Sequence, residues 1–224
     1  MSIFKTIMRL LSFKLTREEM LQFENKHLIA GIIGTWIVGM GRYWDDKTSS
    51  IIQNLGLGSV IYIFVLSAFI WLILKPFYID KWSYKTVLTF ISLTSFPAVF
   101  YAIPVERFFL VSTANSMNVW FLGIVAIWRL CLLYSFLKHF TKLSAGNIFT
   151  VTFMPICLII SVLTALNLHK VVFEIMSGIR NPSPHDSSYL WLLFLTQISI
   201  FLSPFLLIAY GVGIYNRYKL RKMH

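Results

Sequence analysis

Acidic side chains are scarce in this 224-residue sequence: nine Asp and Glu face twenty Lys and Arg, and all four types together make up only 13% of the chain. Soluble domains carry about a quarter charged residues, so an ordinary water-facing exterior is excluded. Cysteine is almost missing, with only Cys131 and Cys157. Both lie inside apolar stretches, which rules out a disulfide framework and leaves packing as their role. Catalytic spacings are missing as well: there is no HExxH, GxSxG, Walker loop or dinucleotide fingerprint. The chain therefore reads as a non-enzyme that needs no cofactor and no metal. Internal repeats, low-complexity linkers and a separate soluble domain are also lacking.

What the sequence does have is apolar length. Hydrophobic residues make up 57% of it, in runs of about 20 residues, each enough to cross roughly 30 Å of hydrocarbon. The runs occupy residues 28–43, 56–74, 84–103, 118–137, 148–167 and 189–215. They are continuously apolar, whereas a membrane β-barrel would alternate apolar and polar residues. The expected fold is an all-α polytopic transmembrane helical bundle of about six spans. The count is five if the first run, short and glycine-rich, does not cross. Three parts follow: a cytoplasmic amphipathic interfacial segment (1–27), a transmembrane helical domain (28–215) and a basic cytoplasmic tail (216–224).

Lys and Arg accumulate on the cytoplasmic side of short loops. With six spans and both termini inside, that side collects Lys5, Arg9, Lys14, Arg17, Lys26, Lys75, Lys81, Lys85, Lys138, Lys142, Arg217, Lys219, Arg221 and Lys222. The opposite side receives Arg42, Lys47, Arg107, Lys170 and Arg180. The formal charge of +11 thus lies at membrane edges and suits anionic lipid headgroups. No nucleic-acid partner is expected, because no binding fold accompanies the charge. The opening residues are not a cleavable signal, since Arg9 and Lys14 interrupt the apolar stretch and no small-residue cleavage site follows. The mature chain is expected to begin near Met1.

In the N-terminal segment, Phe4, Ile7, Met8, Leu11 and Leu15 share one helical face, with Lys5, Arg9 and Ser12 opposite. That pattern predicts a helix lying in the interface, as a lipid anchor or as a docking surface for a cytoplasmic partner. Thr16-Arg17-Glu18-Glu19 then reads as a capping box that starts a second helix.

The intramembrane charge is Arg129, near the middle of the fourth run. It needs a partner there: either hydroxyls such as Ser92, Thr94 or Ser95 in a structural role, or an anionic headgroup or substrate in a functional one. It is expected to face spans three or five. Pro97, Pro155 and Pro204 lie inside spans three, five and six and predict kinks. Ala30, Gly31, Gly34, Thr35 and Gly39 give the first run a small-residue face for close packing. At its outer edge, Arg42, Asp45 and Asp46 form a candidate ligand or partner cluster with Glu106 on the same side, set against a solvated loop. His27 and His139 could face one another as haem ligands, with no second feature in support.

The stretch Ser83-Tyr84-Lys85 through Leu88 to Pro97, then Trp128 and Ser144-Ala145-Gly146, resembles the membrane domain of the YIP family, the Ypt/Rab-interacting proteins and their bacterial relatives. The resemblance covers spans three to five. It implies a compact helical bundle of five spans with a cytoplasmic N-terminus, trafficking partners in eukaryotic members, and no catalytic constellation. The expected function is that of a non-enzymatic multi-pass protein that organises or binds membrane components, lipids foremost, with a protein partner or a second copy of itself. A bacterial inner membrane is the expected location. The alternatives are a small transporter or channel with Arg129 as counter-ion, and a bacterial membrane immunity or defence protein.

Overall fold

The computed structural model describes residues 2–45, 49–179 and 188–222; Lys47, Arg180, His185 and His224 lie outside them. The described residues contain helices and no strand. They form two compact units, one of residues 1–103 and 127–143, the other of 104–126 and 144–224.

The first unit opens with α1 (Ile3–Leu11), capped by the Ser2 hydroxyl, and α2 (Arg17–Leu21). The expected capping box is present. Thr16 Oγ1 accepts from the Glu19 amide, and Glu19 Oε2 accepts from the Thr16 amide at 2.9 Å. Next come α3 (Asn25–Gly41), a single turn α4 (Ile51–Asn54), α5 (Leu57–Leu74), α6 (Tyr84–Leu93) and the second half of α7 (Val111–Phe140). Gly31, Gly34, Thr35 and Gly39 of α3 are buried, as the small-residue face predicts, while Ala30 is only half-buried. A side chain at Gly31 would collide with the Ser92 hydroxyl and one at Gly34 with the Phe96 ring. The opposite face of α3 exposes Ile29, Ile33 and Ile37.

Span three is not one kinked helix. The α-helix ends at Leu93, and a 3₁₀ segment, Phe96–Ala102, continues it. The hydroxyls of Thr94 and Ser95 turn back onto the Ile91 carbonyl, and Pro97 offers no N–H, so the α ladder cannot be carried through. Pro155 and Pro204, by contrast, sit inside continuous helices.

The second unit holds the first half of α7 with α8 (Ala145–Ala165), α9 (His169–Ser177) and α10 (Ser188–Lys222). Small polar residues bring α8 and α10 together: Ser161 donates to Ser203 at 3.3 Å, and the Cys157 thiol meets Ser199. Trp120 packs edge-on against Trp191, and Tyr189 donates a short hydrogen bond to Glu174. Among the described residues, five helical stretches are long and apolar enough to cross a membrane: Leu57–Phe77, Tyr84–Arg107, Val111–Phe140, Ala145–Ala165 and Tyr189–Lys222. At 17 residues, α3 measures about 25 Å at 1.5 Å per residue, just short of the hydrocarbon thickness.

Candidate functional site

In the first unit, Arg129 meets tyrosines. Its guanidinium lies 5.6 Å from the centroid of Tyr62, in the second turn of α5. Tyr101, in the 3₁₀ segment, is within electrostatic range of Arg129 and of Arg42. Arg42, the residue that caps the C-terminus of α3, lies 5.1 Å from the Tyr101 ring and 5.4 Å from that of Tyr43. The expected hydroxyls do not serve Nη2 of Arg129: Ser92 donates to the Thr89 carbonyl, and Thr94 and Ser95 to that of Ile91. Of its neighbours, Tyr101 comes from span three, as expected, whereas Tyr62 comes from span two. Nη2 of Arg129 is buried with no hydrogen-bond partner among the described residues. A charge at this depth costs about 3 kcal/mol on insertion scales, and a cation–π contact returns roughly 0.5–2 kcal/mol. The rings alone leave the guanidinium short of an acceptor.

Asp45 directly follows Trp44, whose indole donates to the Ala102 carbonyl at 2.9 Å; Asp46 lies outside the described residues. Glu106 belongs to the second unit and accepts from Asn118 at 2.8 Å. No three His, Cys, Asp or Glu side chains gather into a metal-binding group among the described residues.

The N-terminal segment forms a hook on the first unit. Helix α1 stops at Leu11, four residues before the end of the predicted apolar face, and Phe13 turns the chain with a φ of 61°. Leu15 is thereby removed from the helical face and buried. Thr6 and Leu10 are the residues of α1 that face protein, while Phe4 and Met8 stay exposed. Trp128 on α7 donates to the Leu11 carbonyl at 3.2 Å, and Arg9 pairs with Glu19 at 3.0 Å. A helical wheel could not distinguish the two apolar edges, because the one that docks is set by where α7 and α3 lie.

His27 clasps the hook. Its Nδ1 accepts from the Glu24 amide at 3.1 Å, so the proton sits on Nε2, which donates to Thr6 Oγ1 at 3.2 Å. His139 instead bonds within its own helix to Ser135, so the two histidines do not act as a facing pair. Burial, reinforced by the Lys26 charge, holds the His27 imidazole below its ordinary value. A histidine with a depressed folded-state value keeps its full contribution above about pH 6.5 and loses it as pH falls through the folded value. The thermal midpoint of the wild-type protein is therefore expected to fall below pH 6.5 more steeply than that of His27→Gln. Parallel curves would show that His27 is not the group responsible.

Residues 3–167 match the family model described as the Yip1 domain. No curated protein and no solved structure matches the chain. The match reaches well beyond the spans that carry the sequence resemblance, running from α1 of the hook through the end of α8. With most of its length covered and five helices fit to cross a bilayer, this chain is a multi-pass membrane protein that belongs to the Yip1 domain family.

Proposed function

We propose that this family member is a non-enzymatic component of a bacterial plasma membrane that gathers membrane constituents on its cytoplasmic face. It crosses six times and keeps both ends inside. The observation that carries the reading is the hook: docked through Thr6, Leu10, Leu15 and Met20, it leaves Phe4, Met8 and Phe13 exposed beside Lys5 and Lys14. An exposed apolar edge flanked by cations suits an anionic lipid surface, where each basic residue adds on the order of 1 kcal/mol. A protein partner or a second copy is the other constituent this edge would receive.

The six-span topology has two supports. Ile29, Ile33 and Ile37 line one exposed side of α3 over two turns, which fits a helix with lipid on that side. The family match also ends after α8, the fifth apolar helix counted from α3. Five spans with an inside N-terminus, as the resemblance implies, leave the chain outside at that point. Helix α10 then returns it, with Arg217, Lys219, Arg221 and Lys222 at the inner end.

Reporter fusions after Lys142 and at His224 should report the cytoplasm, and one near Asp186 the outside. An outward C-terminus would sink the topology. In proteoliposomes, replacing Lys5 and Lys14 with Gln should weaken the protection of α1 by phosphatidylglycerol, read by hydrogen exchange on the full chain. Equal protection in phosphatidylcholine would remove the lipid role of the hook.

A further inference from the structure

The geometry points to a binding site for a phosphate-class anion in the first unit, built by Arg129 with Tyr101 and flanked by Arg42 and Tyr62. Three observations converge on it. Nη2 of Arg129 is shielded from solvent and has no acceptor among the described residues, although a buried guanidinium nitrogen ordinarily finds one. Tyr101 lies within electrostatic range of both arginines, with Tyr62 close by. These side chains come from α3, α5, α7 and the 3₁₀ segment after α6, so the packing of four separate elements assembles the cluster.

The chemistry selects the ligand class. A guanidinium presents a planar fork of donors that matches phosphate oxygens, and two phenolic hydroxyls can donate to the same group. The rings of Tyr62 and Tyr101 meet Arg129 and Arg42 by their faces, and the contact with Tyr62 orients Arg129 without consuming its N–H donors. Tyr62 is itself 45% exposed and its neighbours Ile61 and Val65 more so, which gives a route in from the lipid side of α5. The phosphate can therefore belong to a phospholipid headgroup or to a free anion, and Arg129 supplies the same contacts to either.

This inference rests on the reading of the protein as a binder of membrane constituents, at a place separate from the hook. Its test uses the full-length chain, delipidated in mild detergent and titrated calorimetrically with phosphatidylglycerol in mixed micelles and, separately, with sodium phosphate. Loss of one charge-assisted contact corresponds to roughly tenfold or more in affinity. Arg129→Gln should weaken binding by at least that factor and Tyr101→Phe severalfold. Arg129→Lys, which keeps charge without the fork, should fall between wild type and Arg129→Gln. Binding of phosphatidylglycerol that depends on Arg129 identifies the headgroup as the source, and dependence seen only with sodium phosphate identifies the free anion. If neither titration changes in Arg129→Gln, the site does not exist. Should that variant fail to fold, an unchanged affinity in Tyr101→Phe overturns the inference equally well. Lys5→Gln with Lys14→Gln should leave both titrations intact at this site while altering the hook, so the two readings fail independently.

Discussion

Phe136→Ala is expected to lower stability by about 4 kcal/mol, a typical cost of emptying a buried aromatic site. Phe136 is 1% exposed. It stacks on Phe90 with centroids 4.1 Å apart and planes 14° off parallel, and it touches Phe140 at 5.3 Å and Trp82 at 6.1 Å. Helices inside a bilayer gain little from the hydrophobic effect between themselves and hold together by packing. A cavity in this stack removes contacts that lipid cannot replace. The Trp82 indole also donates to the Trp71 carbonyl at 3.2 Å, so the same cluster fixes α5 against α7. Thermal unfolding in detergent checks the prediction, with Phe201→Ala as the comparison. Phe201 is 68% exposed, and its loss should cost well under 1 kcal/mol. Equal midpoints for the two variants would mean that the aromatic stack does not hold the unit together.

Gly56→Ala should rank next, at about 3 kcal/mol. Gly56 precedes α5 with a φ of 64°, a conformation that costs an alanine about 1–2 kcal/mol. Its missing side chain matters as well. A Cβ there would lie 2.6 Å from the Met40 nitrogen and 2.8 Å from the Trp36 carbonyl oxygen. Both are backbone atoms of α3 and cannot rotate away, so overpacking adds roughly another 1–3 kcal/mol. Gly58, two residues on, has open space where its Cβ would be. Gly58→Ala is expected to be neutral or stabilising by up to about 1 kcal/mol through helix propensity. If the two alanine variants melt together, close approach of α3 and α5 is not what Gly56 secures.

Much of this molecule was legible before its structure. The capping box at Thr16 and Glu19 depends on residues three apart and on nothing beyond them, so sequence spacing suffices to place it. The buried face of α3 was legible for a similar reason: small residues clustered on one side leave close packing as their plain use. Shorter elements were not. Helix α4 has four residues and α9 nine, and neither has an apolar run long enough to stand out from a loop. The break in span three was readable only as a proline, because Pro155 and Pro204 show that the same residue also fits within a continuous membrane helix.

The sequence by itself determined that the chain belongs in a bilayer, since apolar length and scarcity of charge act residue by residue against water whatever the packing. It also singled out Arg129, because an intramembrane cation is costly in any arrangement. Tertiary structure alone decided what Arg129 meets. Tyr62, Tyr101 and Arg129 are separated by tens of residues in the chain, and no periodicity links them. The serines and threonines that sequence offered as partners turn their hydroxyl hydrogens back onto their own helix, and Nη2 of Arg129 finds no partner among them. The docked edge of α1 was decided in the same way. Phe4 and Leu10 are equally apolar on paper, yet only Leu10 is buried, because it lines a small cavity with Phe90, Leu132 and Phe136, residues brought to it by helices far along the chain.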